Sequence, residues 1–170
     1  FFVVGNRITG NEAILQRMLA EGHEIGNHSY DHPNLTILSA AEVSSQIQLT
    51  QDAVFAATGQ RPTVVRPPYG AINQSVMSVI NMPAINWSVD TLDWKTHNTA
   101  AILSEVKAQT GNGGIILMHD IHQTTIDALP TVLDYLKKEG YEFVTVSELI
   151  GDNPNPHMVY YSRDYVAPAP

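Results

Sequence analysis

The sequence predicts one α/β domain built on a mostly parallel β-sheet, either open or closed into a barrel. Runs of β-branched and aromatic residues alternate with segments of helical periodicity, as in consecutive βαβ units. Polar clusters follow several of the predicted strands, and the carboxyl ends of parallel strands are where functional sites assemble. The chain has 170 residues, 44% of them hydrophobic, which is enough for one substantial core.

The chain begins with a predicted strand over residues 1–5, which are aromatic and β-branched up to a glycine. Apolar residues at helical spacing between 14 and 19 predict the first helix, which ends at Gly22. A short strand at 24–26 then leads into a loop over 28–33.

The second helix has signals at both ends. Ser39 and Glu42 have the spacing of a capping box, and the helical pattern continues from there to Gly59. The run at 63–65 is predicted as a strand and residues 74–80 as the third helix.

The second half of the chain continues the alternation. Strands are predicted at 84–89, 115–118 and 141–146, and helices at about 99–109 and 126–138.

The composition excludes several classes of protein. Seventeen acidic and nine basic side chains give a formal net charge of −8, which disfavours nucleic acid or an anionic membrane as the main partner. No apolar run approaches the roughly 20 residues that span a bilayer, so we expect no membrane span. The chain has no cysteine, which excludes disulfides and thiolate metal sites.

The residues at the two ends of the chain predict where the domain begins and ends. Termini are commonly polar and frayed, so a domain that opens on a core strand predicts a missing upstream segment, cleaved or carried by a partner chain. Residues 1–150 are predicted as the domain, and residues 151–170, which end in Ala-Pro-Ala-Pro, as a C-terminal extension or linker.

His28 and His32 lie four residues apart, a spacing that can direct two imidazoles at one divalent cation. The alternative is a pair of surface histidines in a turn. A catalytic zinc normally has three protein ligands, so the third must come from elsewhere. Asp31, Asp90 and Asp120 are the less favoured candidates for that ligand within this chain.

Arg66 is followed by two prolines and Tyr69. The stiff backbone would aim the arginine at a carboxylate, and the backbone N–H of Tyr69 could face a developing oxyanion. The alternative is a proline-rich turn with a solvated arginine.

Asp90, Asp93 and Trp94 follow the strand predicted at 84–89. The carboxylates could orient a histidine, and the indole could form a wall against which a sugar stacks. The alternative is a capping aspartate beside a half-buried tryptophan.

His119 ends the apolar strand at 115–118, a suitable place for a general acid or base whose pKa a carboxylate adjusts. The alternative is a histidine at the core edge that bonds to a backbone carbonyl. The other histidines are interpreted as surface residues: His23, His97, His122 and His157.

Together, the order and spacing of these motifs resemble the polysaccharide deacetylases of the NodB-homology group, carbohydrate esterase family 4. Within that group the chain most resembles the peptidoglycan N-acetylglucosamine deacetylases of streptococci and lactococci, over nearly its whole length up to about Ile150. The stretches that carry the resemblance are Gly26 to Pro33, Arg66 to Ile72, Asp90 to Lys95, Leu117 to His122 and Tyr160 to Asp164.

The resemblance implies a distorted (β/α) barrel of about seven strands. It also implies a role for each of the motif residues. His28 and His32 match the metal-binding histidines, usually on zinc, with cobalt as another possible metal. Arg66 matches the arginine that pairs with the catalytic base, and Tyr69 the residue whose backbone N–H binds the oxyanion.

The remaining motifs match the general acid and the substrate groove. His119 corresponds to the histidine that protonates the leaving amine, and Asp93 to the aspartate that tunes it. Trp94 corresponds to a groove wall and Leu117 to the apolar pocket around the acetyl methyl group.

The chain departs from the family in one respect. The first family motif, Thr-Phe-Asp-Asp-Gly, supplies the catalytic base and the third metal ligand, and it is absent from this sequence. We therefore expect the first strand and helix of the barrel on an N-terminal fragment or chain of the same protein, and an inactive isolated chain.

The resemblance implies an exported, cell-wall-associated hydrolase that removes N-acetyl groups from N-acetylglucosamine residues of peptidoglycan. Two alternatives stay open: an O-deacetylase on xylan or a chitin deacetylase, and a non-catalytic glycan-binding module.

Overall fold

The computed structural model describes all 170 residues and contains seven short strands and seven α-helices. The strands are β1 (Phe2–Val3), β2 (Gly26–Asn27), β3 (Ala84–Ile85), β4 (Val89–Asp90), β5 (Ile116–Leu117), β6 (Met158–Tyr160) and β7 (Val166–Pro168). The helices are α1 (Glu12–Ala20), α2 (Ala40–Thr58), α3 (Gln74–Ile80), α4 (Asp93–Thr96), α5 (Thr99–Gln109), α6 (Gln123–Lys138) and α7 (Val146–Ile150). The predicted α/β class is confirmed.

The elements group into two compact units. The first contains Phe1–Asn86, Thr145–Tyr160 and Val166–Pro170, and the second contains Trp87–Val144 and Tyr161–Tyr165.

The sheet of the first unit begins with β1 and β2, which pair in parallel. Val65 continues it through parallel bridges to Asn27 and Ala84. Strand β3 then pairs in parallel with β6, and β6 pairs antiparallel with β7. Gly26 is required in β2, because a Cβ there would lie 2.5 Å from the ring of Phe2.

Helices α1 and α2 cover part of this sheet with a buried apolar cluster, which consists of Ile8, Leu15, Ile25, Val54 and Ala57. The capping box predicted at Ser39 and Glu42 is present at the start of α2. The helix ends at Gly59, whose left-handed φ of 76° suits glycine.

The second unit places the parallel pair β4–β5 beside α5 and α6. The two helices pack through a buried cluster of Ile102, Val106, Ala128, Val132 and Leu136. The carboxamide of Gln109 accepts from the backbone N–H of Asp90 and donates to its carbonyl, so a side chain replaces a missing strand neighbour.

Two of the predicted strands, at 84–89 and 63–65, differ from those in the structure. The strand predicted at 84–89 is two strands, because Asn86 donates its N–H to Tyr160 while Ser88 donates to Ile115. The run at 63–65 contributes only the bridges of Val65.

The strand predicted at 141–146 is wrong. Thr145 and Glu148 form a capping box, which starts α7 at Val146.

Residues 151–170, predicted as an extension or linker, contain the strands β6 and β7. Val159 in β6 is fully buried. No helix of the structure is both long enough and apolar enough to span a membrane.

Candidate active site

The predicted site residues divide equally between the two units. His28, His32, Arg66 and Tyr69 belong to the first unit. Asp93, Trp94, Leu117 and His119 belong to the second.

The loop that carries the two predicted metal ligands is held by buried polar side chains. Asn27 accepts from the N–H of Ser29 at 2.9 Å and donates to the carbonyl of Ile47 in α2 at 3.0 Å. The hydroxyl of Ser29 accepts from the N–H of His32 at 3.1 Å. These bonds hold Ser29 and His32 at left-handed φ values of 62° and 64°, which non-glycine residues seldom adopt.

A residue of α2 holds the middle of the same loop. Oε1 of Gln46 accepts from the backbone N–H groups of Tyr30 and Asp31, at 2.9 and 3.1 Å. The position of the two histidines is therefore tied to a long capped helix.

His28 and His32 are adjacent, with ring centroids 4.8 Å apart. Nδ1 of His28 lies 2.6 Å from the carbonyl oxygen of Arg66. A carbonyl can only accept, so Nδ1 carries the hydrogen and Nε2 is the ring nitrogen whose lone pair could bind a metal. The second-sphere bond and the paired rings fit two ligands of a zinc-type site.

A third ligand is not found in this chain. No group of three or more His, Asp or Glu side chains is arranged to hold a metal ion. Asp31, Asp90 and Asp120 form no such group with the two histidines.

Arg66 is buried, with 9% of its surface exposed, so the alternative of a solvated arginine is wrong. Its guanidinium donates to the carbonyls of Ile85 and Asn86, and its Cζ lies 4.2 Å from the centroid of the Phe2 ring. Burial lowers the pKa of Arg66 to about 10, so the side chain is still a cation at neutral pH.

Tyr69 lies in a tight turn and has a left-handed φ of 61°. The N–H groups of Gly70 and Ala71 donate to the carbonyls of Pro67 and Pro68. The N–H of Tyr69 takes part in neither bond, which suits its predicted role of donating a hydrogen bond to an oxyanion. Its ring is 69% exposed and packs against His32, with centroids 4.8 Å apart.

Asp93 and His119 form a hydrogen-bonded dyad. Asp93 is fully buried, and its Oδ1 lies 2.8 Å from Nδ1 of His119. The same carboxylate accepts from the backbone N–H groups of Trp94 and His119 and from the hydroxyl of Thr125. Nδ1 of His119 thus carries a hydrogen towards the carboxylate, and Nε2 is the atom that can exchange a proton.

The pKa of Asp93 results from opposing effects. Burial alone would raise it, but the hydrogen bonds from His119 and Thr125 outweigh burial and lower the pKa to about 2. The carboxylate is therefore ionised throughout the physiological range.

The two predicted groove residues differ in exposure. Trp94 is 50% exposed, and its indole N–H approaches Oδ1 of Asp90 at 3.4 Å. Leu117 is buried opposite Asp90 in the β4–β5 pair. Asp90 also accepts from the N–H of Leu92, but it does not cap α4, which has no side-chain cap.

Sequence reasoning missed the supporting residues Asn27, Gln46 and Thr125. Asn27 lies within the stretch Gly26 to Pro33, but no role was assigned to it. Gln46 and Thr125 lie in no motif, although Thr125 follows His119 closely enough to be a candidate partner of the dyad. His122, interpreted as a surface residue, is partly buried, and its ring centroid lies 4.5 Å from that of His97 and 6.3 Å from that of His119.

Known proteins resemble this chain in sequence and in structure. The polysaccharide deacetylase family model matches residues 1–84. The peptidoglycan-N-acetylglucosamine deacetylase PgdA of Listeria monocytogenes is 48% identical over 163 residues, which are 96% of this chain and 35% of that protein. The chain thus spans about a third of the length of this relative.

Two solved structures share the fold. That of PdaC from Bacillus subtilis, named a peptidoglycan-N-acetylmuramic acid deacetylase, is 47% identical and has a TM-score of 0.85, over 88% of this chain and 74% of that one. A pseudoenzyme of carbohydrate esterase family 4 from Bacillus anthracis is 34% identical, with a TM-score of 0.83, over 89% of this chain and 55% of that one. The chain belongs to the polysaccharide deacetylases of the NodB-homology group, carbohydrate esterase family 4.

Proposed function

We propose that this chain carries the general acid and two metal ligands of a peptidoglycan N-deacetylase. The enzyme removes the acetyl group from N-acetylglucosamine residues and releases acetate. The observation that carries the proposal is the dyad of Asp93 and His119, in which a buried, ionised carboxylate holds an imidazole in one tautomer. The similarity to PgdA supports the substrate.

His119 acts on the leaving group. Asp93 keeps the hydrogen on Nδ1, so Nε2 of the imidazolium is the atom that transfers a proton to the departing amine. Amide cleavage needs this proton because an amide anion is a poor leaving group. Asp93 also stabilises the imidazolium by its negative charge.

The site residues of the first unit act at the acetyl carbonyl group of the substrate. His28 and His32 would hold a divalent ion, zinc or cobalt, which would supply a Lewis acid and activate water. Deacetylases of this family are generally metal-dependent. The backbone N–H of Tyr69 donates to the oxyanion. Arg66 orients the carboxylate that acts as the base.

The base and the third metal ligand come from an N-terminal segment of the same protein outside these 170 residues. Two histidines are one ligand short of a catalytic zinc site, and no third carboxylate or imidazole in the chain joins them. The segment is therefore both a structural and a chemical partner.

Trp94 and Leu117 bind the substrate in this proposal. The exposed indole face stacks on a pyranose ring, and Leu117 packs against the acetyl methyl group. Because the substrate is cell-wall glycan, the protein works outside the cell or at its surface.

The substrate is tested with the full-length protein on muropeptides, chitin oligomers and acetylated xylan. Acetate and the new free amine are measured separately. We expect equimolar acetate and glucosamine amine from muropeptides. Acetate without amine would show an O-deacetylase, and amine on muramic acid would assign the activity named for PdaC.

A second candidate function is glycan binding without turnover, which the similarity to a family pseudoenzyme favours. Binding of chitin oligomers by the metal-loaded full-length protein with no acetate release would establish it.

A further inference from the structure

We propose that Asn86 is a positioning residue that holds the turn at residues 67–70 in the conformation that presents the Tyr69 N–H. The inference rests on the proposed function, because it concerns the donor assigned there to the oxyanion.

Asn86 connects the turn to the sheet. Its side-chain Nδ2 donates to the carbonyl of Gly70 at 3.2 Å. Its backbone N–H donates to Tyr160 of β6 at 2.8 Å, and its carbonyl accepts from the guanidinium of Arg66 at 3.3 Å. The side-chain bond therefore ties the turn to a residue whose own backbone is fixed.

The turn needs such a tie. Tyr69 and Gly70 have consecutive left-handed φ values of 61° and 65°. A left-handed conformation costs a non-glycine residue about 1 kcal/mol or more, so it persists only where the surroundings impose it. If the peptide at Tyr69 relaxed, its N–H would turn to a new direction.

Asn86 is not explained by stability. The side chain is 94% buried, yet its Oδ1 has no hydrogen-bond partner. A buried acceptor without a partner is destabilising, and an apolar side chain of similar volume would avoid it. Gly70 is only partly buried, so water could solvate its carbonyl if the Asn86 bond were lost. Stability therefore does not account for an asparagine at this position, whereas the need to hold the turn at residues 67–70 does.

The test uses Asn86→Leu and Asn86→Ala in the metal-loaded full-length protein. Leucine fills the space of Asn86 but cannot donate a hydrogen bond to the Gly70 carbonyl. Alanine also lacks the donor and is small enough to fit if leucine is too bulky. Complete loss of one oxyanion donor costs about 10²–10³ in kcat, so a misdirected donor should lower kcat by about tenfold or more. We expect KM and bound metal to stay within about twofold of wild type, and Asn86→Leu to keep the wild-type melting temperature.

Asn98→Ala is the matched control. Asn98 caps α5 through its side chain, and its loss costs stability without touching the turn. We expect a lower melting temperature with unchanged kcat.

The wild-type protein separates this inference from the proposed function. A wild type that releases no acetate from any glycan contradicts the function. An active wild type whose Asn86 variants keep kcat within twofold overturns the positioning role, and so does an equal loss of kcat in Asn98→Ala.

Discussion

Asp93 is fully buried and still ionised, because four hydrogen bonds converge on its two oxygens. Two of the donors are backbone N–H groups, one is the Thr125 hydroxyl and one is the His119 ring. The carboxylate thus fixes both the backbone and the tautomer of His119.

Replacing this carboxylate should affect catalysis through His119. In Asp93→Asn an amide faces Nδ1 and no longer selects the tautomer that leaves Nε2 to transfer the proton. We expect kcat to fall by about 10²–10⁴ with little change in KM. Asp127→Asn, at an exposed carboxylate of α6, is the matched control and should keep wild-type kcat. Equal kcat values for the two variants would contradict the role of Asp93.

The lowered pKa of Asp93 also makes stability depend on pH. The folded value of about 2 lies below the ordinary 3.8, so the ionised form stabilises the native state at pH values above the ordinary one. That contribution, about 2 kcal/mol, is lost as pH falls from about 4 to 2. Urea unfolding over this range should show the loss in the wild type and less of it in Asp93→Asn.

Individual site residues were predictable where their chemistry is distinctive. His119 was a candidate because it ends an apolar strand, whereas the resemblance to the family, and not the residues alone, assigned Asp93 to it. The structure shows the two side chains hydrogen-bonded. Thr125 and Asn86 were not predicted, because Thr and Asn are common in turns and only the fold brings them to the dyad and to the Gly70 carbonyl.

At the scale of elements, α2 positions the loop that carries His28 and His32. It supplies Gln46 to two backbone N–H groups of the loop and the carbonyl of Ile47 to Asn27. The histidines thus depend on a helix that itself carries no ligand.

Removing that support should weaken the metal site without unfolding the helix. Gln46→Ala keeps high helix propensity but leaves the N–H groups of Tyr30 and Asp31 without their acceptor. We expect zinc affinity of the full-length protein to fall about tenfold or more, with activity recovered at high zinc.

Gln48→Ala is the control on the same helix, since Gln48 bonds only to Asp52. Calorimetric titration with zinc compares the two variants. Indistinguishable affinities would contradict the dependence of the loop on α2.

Helices were predicted better than strands, for a physical reason. The bounds of α3 and α5 match the prediction because caps and helical periodicity are local signals. Most strands span two residues, too few for a periodic pattern. The pairing of β6 with β3 is a long-range contact, so the segment at 158–160 carried no local sign of its place in the sheet.

At the scale of the whole molecule, the acidic chain provides two parts of one proposed reaction. The first unit has two metal-type histidines, a buried arginine and a turn with a directed N–H. The second has the hydrogen-bonded pair of His119 and Asp93. Neither unit contains three or more His, Asp or Glu side chains arranged to hold a metal ion.

The proposed general-acid role of His119 is tested by acetate release from the His119→Ala variant of the metal-loaded full-length protein. The substrate is an N-acetylglucosamine oligomer, and bound zinc is measured in the same samples. His97→Ala, at an exposed histidine of the same unit, is the control. We expect wild-type metal content in both variants, normal turnover in His97→Ala and none detectable in His119→Ala. Near-normal acetate release by His119→Ala would contradict the role of His119 as the general acid.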